Sequence, residues 1–295
     1  MRIGFHVHIG GGLLQSIRHA LDRRCQTMQI FASAPVQWKA RKVDLLEAEE
    51  FVAARKRFDL WPLFVHAPYL LNLATADMAL LEKSVKRLIF DMQMAHLWQA
   101  EGVVLHLGSA GAGTAIEEAM ERVAAALRVV LEHTEAPTKL ILENSAGQGN
   151  IVGDTPEELG RVIELAGGER LALCLDTAHA FAAGYAVNTQ EGLNGLLEAL
   201  ERFCGTDRLA LVHANDSASD LGSKWDRHWH IGQGKIGPEG WRTISSHPTL
   251  RELPFIMETP KGHDGGLEED LANLKALRRL VPAEWRPGLP RVRKV

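Results

Sequence analysis

Residues 209–237, LALVHANDSASDLGSKWDRHWHIGQGKIG, open as a short apolar run and end in a loop that carries His213, Asp226 and His228. The run at 209–212 is bounded by polar residues, the pattern of a parallel strand covered on both faces, and His213 stands where it leaves the core. Asp226 and His228 are two apart in DRH. In an extended segment such residues point to the same side, so a carboxylate and an imidazole would converge on one point. DxH pairs are also common on solvated loops, and this one becomes informative only through what recurs upstream.

Working outward, comparable apolar runs fall at 3–7, 27–31, 63–66, 103–106, 140–143, 171–176 and 255–258. Longer amphipathic patterns separate them, among others at 78–98, 115–131, 156–165, 190–203 and 267–280, with Pro156 suited to a first helical turn. Eight βα units without a hairpin signal predict a single-domain (β/α)8 TIM barrel over 1–282 rather than an open sheet. The remaining tail, 283–295, includes WRPGLPRVRKV and shows no apolar periodicity. It reads as a disordered basic end or as a phosphate contact.

Six of the eight runs finish on His66, His106, Glu143, Asp176, His213 and Glu258. The C-terminal ends of barrel strands share one rim, where polar residues read as a site. One such residue would be an ordinary solvated strand end. Six of them, with His179 three residues past Asp176 and the DRH loop added, read as a metal centre. Five imidazoles and four carboxylates without a thiolate suit Zn²⁺, Mn²⁺ or Fe²⁺ better than Mg²⁺ or Ca²⁺. Nine ligands are too many for one ion, but bridging carboxylates could serve two or three. Three divalent ions set against Glu143, Asp176, Asp226, Glu258 and a bridging hydroxide would leave about one positive charge to face a phosphodiester.

That local charge matters because the chain as a whole, 295 residues with a formal net charge of −4, is not a generic polyanion binder. Its three cysteines, Cys25, Cys174 and Cys204, lack CxxC spacing and are too few for a disulfide framework, so a reducing cytoplasm is expected. Neither a signal peptide nor an apolar run of membrane-spanning length is legible. Gly10–Gly12 could present backbone N–H groups to a phosphate or simply make a tight turn. GQGN at 147–150 and GQGKIG at 232–237 are open to the same two readings. His6 and His8 are candidates for supporting the ligands.

The pieces VHAPYLLNLA, LHLGSA, ILENSAGQGN, CLDTAHAFAAGY, HANDS followed by GSKWDRHWHIGQGKIG, and METP occur in this order over nearly the whole length. In them the chain resembles endonuclease IV, the zinc-dependent family of apurinic/apyrimidinic (AP) endonucleases. The resemblance implies three zinc ions, with Mn or Fe as possible substitutes. His66, His106 and Glu143 would hold one ion, and Glu143, Asp176, His213 and Glu258 a second. His179, Asp226 and His228 would hold the third. Glu143 and Glu258 become the candidate catalytic carboxylates. The implied reaction is hydrolysis of the phosphodiester 5′ to an abasic site in double-stranded DNA by a metal-bound hydroxide, leaving a 3′-hydroxyl and a 5′-deoxyribose phosphate. Blocked 3′ ends would be trimmed similarly, by a monomer with no membrane partner.

The resemblance also implies a DNA wedge of Tyr69 and Leu70 with Gln37. The family usually places an arginine immediately before that glutamine, where this chain has Val36. A sugar isomerase or epimerase on a related barrel is the competing reading, and a damage-binding protein without catalysis the third. His179, Asp226 and His228 would be surplus to a one- or two-metal sugar site, and a binder has no need of a complete ligand set.

Overall fold

A computed structural model describes residues 1–262 and 265–285. In chain order the elements are β1 (Arg2–His6), α1 (Leu13–Asp22), β2 (Thr27–Phe31), α2 (Leu45–Phe58), β3 (Leu63–His66), α3 (Met78–Leu97), β4 (Gly102–Leu105), α4 (Ile116–Glu132), β5 (Lys139–Glu143) and α5 (Pro156–Ala166). There follow β6 (Leu171–Asp176), α6 (Thr177–Ala183), α7 (Gln190–Phe203), β7 (Leu209–His213), β8 (Asp216–Ser217), β9 (His228–Trp229), α8 (Gly237–Ser246), β10 (Pro254–Met257) and α9 (Leu267–Leu280). Eight strands pair in parallel and close in the order β1-β10-β7-β6-β5-β4-β3-β2, the expected (β/α)8 barrel. Closure runs through Gly4. A Cβ there would stand 1.8 Å from the carbonyl oxygen of Thr27, so only glycine lets β1 and β2 approach.

Strand alternation builds the barrel interior in layers. Phe64, Val104, Ile141, Ala172, Cys174, Leu211 and Ile256 form one buried apolar cluster inside the strands. The larger cluster packs the outer strand faces against the helices. Two residues beyond members of the inner cluster come His66, His106, Glu143, Asp176, His213 and Glu258, which therefore lie on the same inward face one layer nearer the rim. The helices begin where their caps dictate. Asp44 accepts from Glu47 N–H, Asp77 from Ala79 and Leu80 N–H, Thr155 from Glu158 N–H with Pro156 in the first turn, and Thr189 from Gly192 N–H.

Three sequence expectations need correction. The ladders of β4 and β10 stop at Leu105 and Met257, so His106 and Glu258 are the first loop residues rather than the last strand residues. The seventh βα loop does contain a hairpin, with β8 and β9 antiparallel over Asp216↔Trp229 and Ser217↔His228. Two-residue strands are too short for an alternation signal. The short helix α6 was also not anticipated, because its residues are buried all round and show no polar face.

The proposed tail begins with a 3₁₀ turn, Ala283–Trp285, whose Trp285 ring packs on the core with the Arg251 guanidinium 3.6 Å from its centroid. The rest of that tail, 286–295, lies outside the described residues. Among the described residues all three cysteines are buried and unpaired, and no helix is long and apolar enough to cross a membrane.

Candidate metal centre

The rim layer and the loop after β7 bring the nine candidate ligands to one place. His66, His106 and Glu143 each offer a ligand atom within 4.8 Å of the others, as do Glu143, Asp176, His213 and Glu258. A third set groups His179 and His228 with Asp176. Asp226, contributed by the loop between β8 and β9, approaches the same two rings, 3.3 Å from His179 Nε2 and 3.3 Å from His228 Nε2. Glu143 lies at the centre: its oxygens are 2.9 Å from His213 Nδ1, 3.3 Å from His66 Nε2 and His179 Nδ1, and 3.5 Å from His106 Nε2. Almost all of this is buried, and only Asp226 among the nine is substantially exposed.

Hydrogen bonds behind the rings decide which nitrogen faces inward. His66 Nδ1–H donates to the Ala67 carbonyl at 2.6 Å, His179 Nδ1–H to the Asn144 carbonyl at 3.0 Å and His228 Nδ1–H to the Glu258 carbonyl at 3.3 Å. With Nδ1 so engaged, each ring turns its Nε2 toward the centre. His213 is reversed: its Nε2–H donates to Gln29 Oε1 at 2.9 Å, so Nδ1 faces Glu143 and Glu258. Gln29 Nε2 donates in turn to Glu258 Oε1 at 2.7 Å, and His6 Nδ1 lies 2.8 Å from that oxygen. Asp176 is aimed by Asn215 Nδ2 at 2.7 Å and accepts from His179 N–H at 2.8 Å, which also caps α6.

This donor set fits divalent cations. His179 Nε2 and His228 Nε2 face each other at 3.3 Å, and two inward lone pairs so close repel unless a proton or a cation lies between them. Four carboxylates converge on the same space, where burial alone would force them to take up protons. Instead, although burial pushes the other way, the surrounding imidazoles hold Glu143 and Glu258 well below the usual carboxylate range. Asp226, despite its burial penalty, is lowered to about 2 by His179 and His228. Against burial, His179 is raised well above the usual imidazole value by Asp176, Asp226 and Glu143, and His213 by Cys174, Glu258 and Glu143. The centre thus demands positive charge, which bound protons supply when metal does not.

A groove of about 480 Å³ opens over the centre, lined among others by Tyr69, Leu70, His106, Gln148, His179 and Asp226. Tyr69 is 64% exposed and meets Phe31 edge to face at 5.6 Å, while Leu70 is half-buried. Gln37 stands on the exposed loop after β2, whose backbone is held by Arg87 Nη1 on the Gln37 carbonyl at 3.0 Å. Val36 beside it is 74% exposed.

Other loops have internal partners. The first N–H of α1, on Leu13, donates to Glu47 Oε1 at 2.7 Å, so this chain's own carboxylate caps the helix that follows Gly10–Gly12. The GQGKIG loop is gathered by buried Asp216, which accepts from Gly232 N–H, Ile236 N–H and Trp241 Nε1–H. His8 is exposed and packs against His19, ring centroids 4.0 Å apart and planes tilted by 43°. Sequence reasoning missed Gln29, Asn144 and Asn215. Gln29 had a signal, since TMQIF places a polar residue at an inward position of an otherwise apolar strand.

A family profile described as xylose isomerase-like TIM barrel matches residues 17–279. A "Probable endonuclease 4" from Methanoculleus marisnigri is 40% identical over 283 residues, covering 95% of this chain and 99% of its own. The crystal structure of endonuclease IV from Thermus thermophilus superposes with a TM-score of 0.82 at 38% identity, over 95% of this chain and 98% of that one. A D-tagatose 3-epimerase-like protein superposes with a TM-score of 0.71 at 20% identity, over 95% and 98%, a likeness of fold alone.

Proposed function

This chain belongs to the endonuclease IV family, and from that premise we propose that it is a DNA-repair hydrolase that cuts the phosphodiester 5′ to abasic sites, leaving a 3′-hydroxyl and a 5′-deoxyribose phosphate. Trimming of blocked 3′ ends belongs to the same activity. The observation that carries this reading is the inward lone-pair cluster around His179 and His228, joined through Glu143 and Asp176 to two further ligand sets. A one- or two-metal sugar epimerase has no use for the His179, Asp226 and His228 set.

We assign three zinc ions, replaceable by manganese or iron, to the sets His66, His106 and Glu143; Glu143, Asp176, His213 and Glu258; and His179, Asp226 and His228. Held there, divalent ions would supply Lewis acidity that lowers the pKa of a nearby water and offsets the charge of a phosphodiester. The chain's own residues do the rest. Glu143, buried and central, orients the attacking water and accepts its proton. Glu258, held by Gln29 and His6, keeps a fixed carboxylate beside it. Tyr69 and Leu70, with Gln37, fill the space left when the abasic nucleotide leaves the duplex. The protein acts as a monomer in the cytoplasm on double-stranded DNA.

The test is to count metals in the purified protein and to measure incision of an abasic duplex alongside ketose epimerisation. Stoichiometric zinc with incision supports the reading; epimerisation without incision overturns it. Chelation should also weaken binding to abasic duplex, and salt should weaken what remains through counterion release.

A further inference from the structure

The alternation that turns Asp226 and His228 toward His179 turns their neighbours the other way. Trp225 is 56% exposed and Trp229 41% exposed, and the Arg227 guanidinium lies 5.1 Å from the centroid of the Trp225 ring. The segment is not a loose loop. Gly222 N–H donates to the Phe181 carbonyl at 3.1 Å, Lys224 N–H to the Ala182 carbonyl at 2.9 Å and Ala218 N–H to the Arg227 carbonyl at 2.9 Å. α6 and the Ala218–Arg227 backbone bond thus hold two large aromatic side chains in water, one residue away from the candidate ligands Asp226 and His228. Among the described residues no carboxylate lies within ion-pair distance of Arg227, whereas Lys235 is paired with Asp220 at 2.9 Å.

An ordered aromatic surface with a guanidinium that has no carboxylate partner among the described residues, one residue from the candidate metal ligands, matches one chemistry: a base π-face together with a neighbouring phosphate. We propose that Trp225, with Arg227 behind it, is a stacking platform for an unpaired nucleobase of the strand that crosses the centre. This rests on the nuclease reading. It extends the accepted substrates from duplex abasic sites to strands whose bases are unpaired next to the cut, such as frayed 3′ ends. Bases within an intact duplex are already stacked on their neighbours and cannot use the platform.

The test compares two phosphorothioate-linked oligomers of equal length at fixed salt, oligothymidylate and a base-free tetrahydrofuran oligomer, on the metal-loaded full chain. The parent should bind the oligomer with bases about tenfold more tightly, a typical increment for stacking. Trp225→Ala should abolish that difference, and Trp225→Phe should retain most of it. Equal affinity of the parent for both oligomers, or an unchanged difference in Trp225→Ala, overturns the platform. So does self-association that Trp225→Ala removes, which would assign the face to a second copy of the chain. Incision of an abasic duplex by the same proteins separates the two readings: normal incision with no base-dependent increment sinks only the platform. Failure of the parent to bind or incise any DNA sinks the nuclease reading itself.

Discussion

Gln29 Oε1 accepts from His213 Nε2–H at 2.9 Å while Gln29 Nε2 donates to Glu258 Oε1 at 2.7 Å, so one neutral side chain on β2 fixes which nitrogen one candidate ligand turns inward and the aim of another. Gln29→Leu should therefore loosen the second metal site without unfolding the barrel. Loss of such a supporting partner typically costs about 10–100-fold in metal affinity. Titration against a competing chelator reads this directly, with circular dichroism as the folding control. Unchanged affinity would show that His213 holds its orientation without Gln29.

Glu143→Gln replaces a central carboxylate by a neutral amide between two proposed metal sites. Incision should fall by at least about 100-fold, the lower end for loss of a general base, and metal content should fall with it. Single-turnover cleavage and metal analysis on the same sample check both. Near-normal cleavage with full metal would reject the bridging and proton-accepting roles together.

A pH effect outside the candidate ligand sets comes from α3. Asp91 is buried, with Oδ1 2.9 Å from Arg87 Nε and Oδ2 without a partner among the described residues. Burial, opposed by Arg87, raises its carboxyl to about 7. Because the folded value lies above the unfolded one, the folded state keeps a proton that the unfolded chain releases. This contribution to stability is full at low pH, declines as pH rises past the unfolded value and levels off above about 7. Urea midpoints of the parent and Asp91→Asn between pH 5 and 8 should therefore diverge, with a slope of up to about 1.4 kcal/mol per pH unit below neutrality. A pH-independent difference would rule this out.

Tyr69→Ala should weaken binding to abasic duplex by roughly 1–3 kcal/mol, the cost of one lost stacking contact, and spare intact duplex. Val36→Arg should strengthen binding to abasic duplex by restoring a cation beside Gln37. Equilibrium binding of both variants at fixed salt checks the pair. If Tyr69→Ala and Leu70→Ala bind abasic DNA as tightly as the parent, the gap is filled from another loop.

The eight-fold alternation of short apolar runs and helices was legible in the chain itself, because strand and helix periods are local properties. So was the placing of the six candidate ligands at or just past the strand ends, since each of those six follows an inward apolar residue by two positions, as His66 follows Phe64 and His213 follows Leu211. Which nitrogen each imidazole turns inward was not legible. That depends on partners far away in the chain, such as Gln29, 184 positions before His213, and Asn144, 35 before His179. The hairpin that delivers Asp226 and His228 was equally hidden, because it is held by buried Asp216 and by α6 rather than by any pattern of its own. Local sequence determined which side chains reach the rim. Long-range hydrogen bonds, formed only once the barrel closes, decided how they point and that the cluster they form requires positive charge.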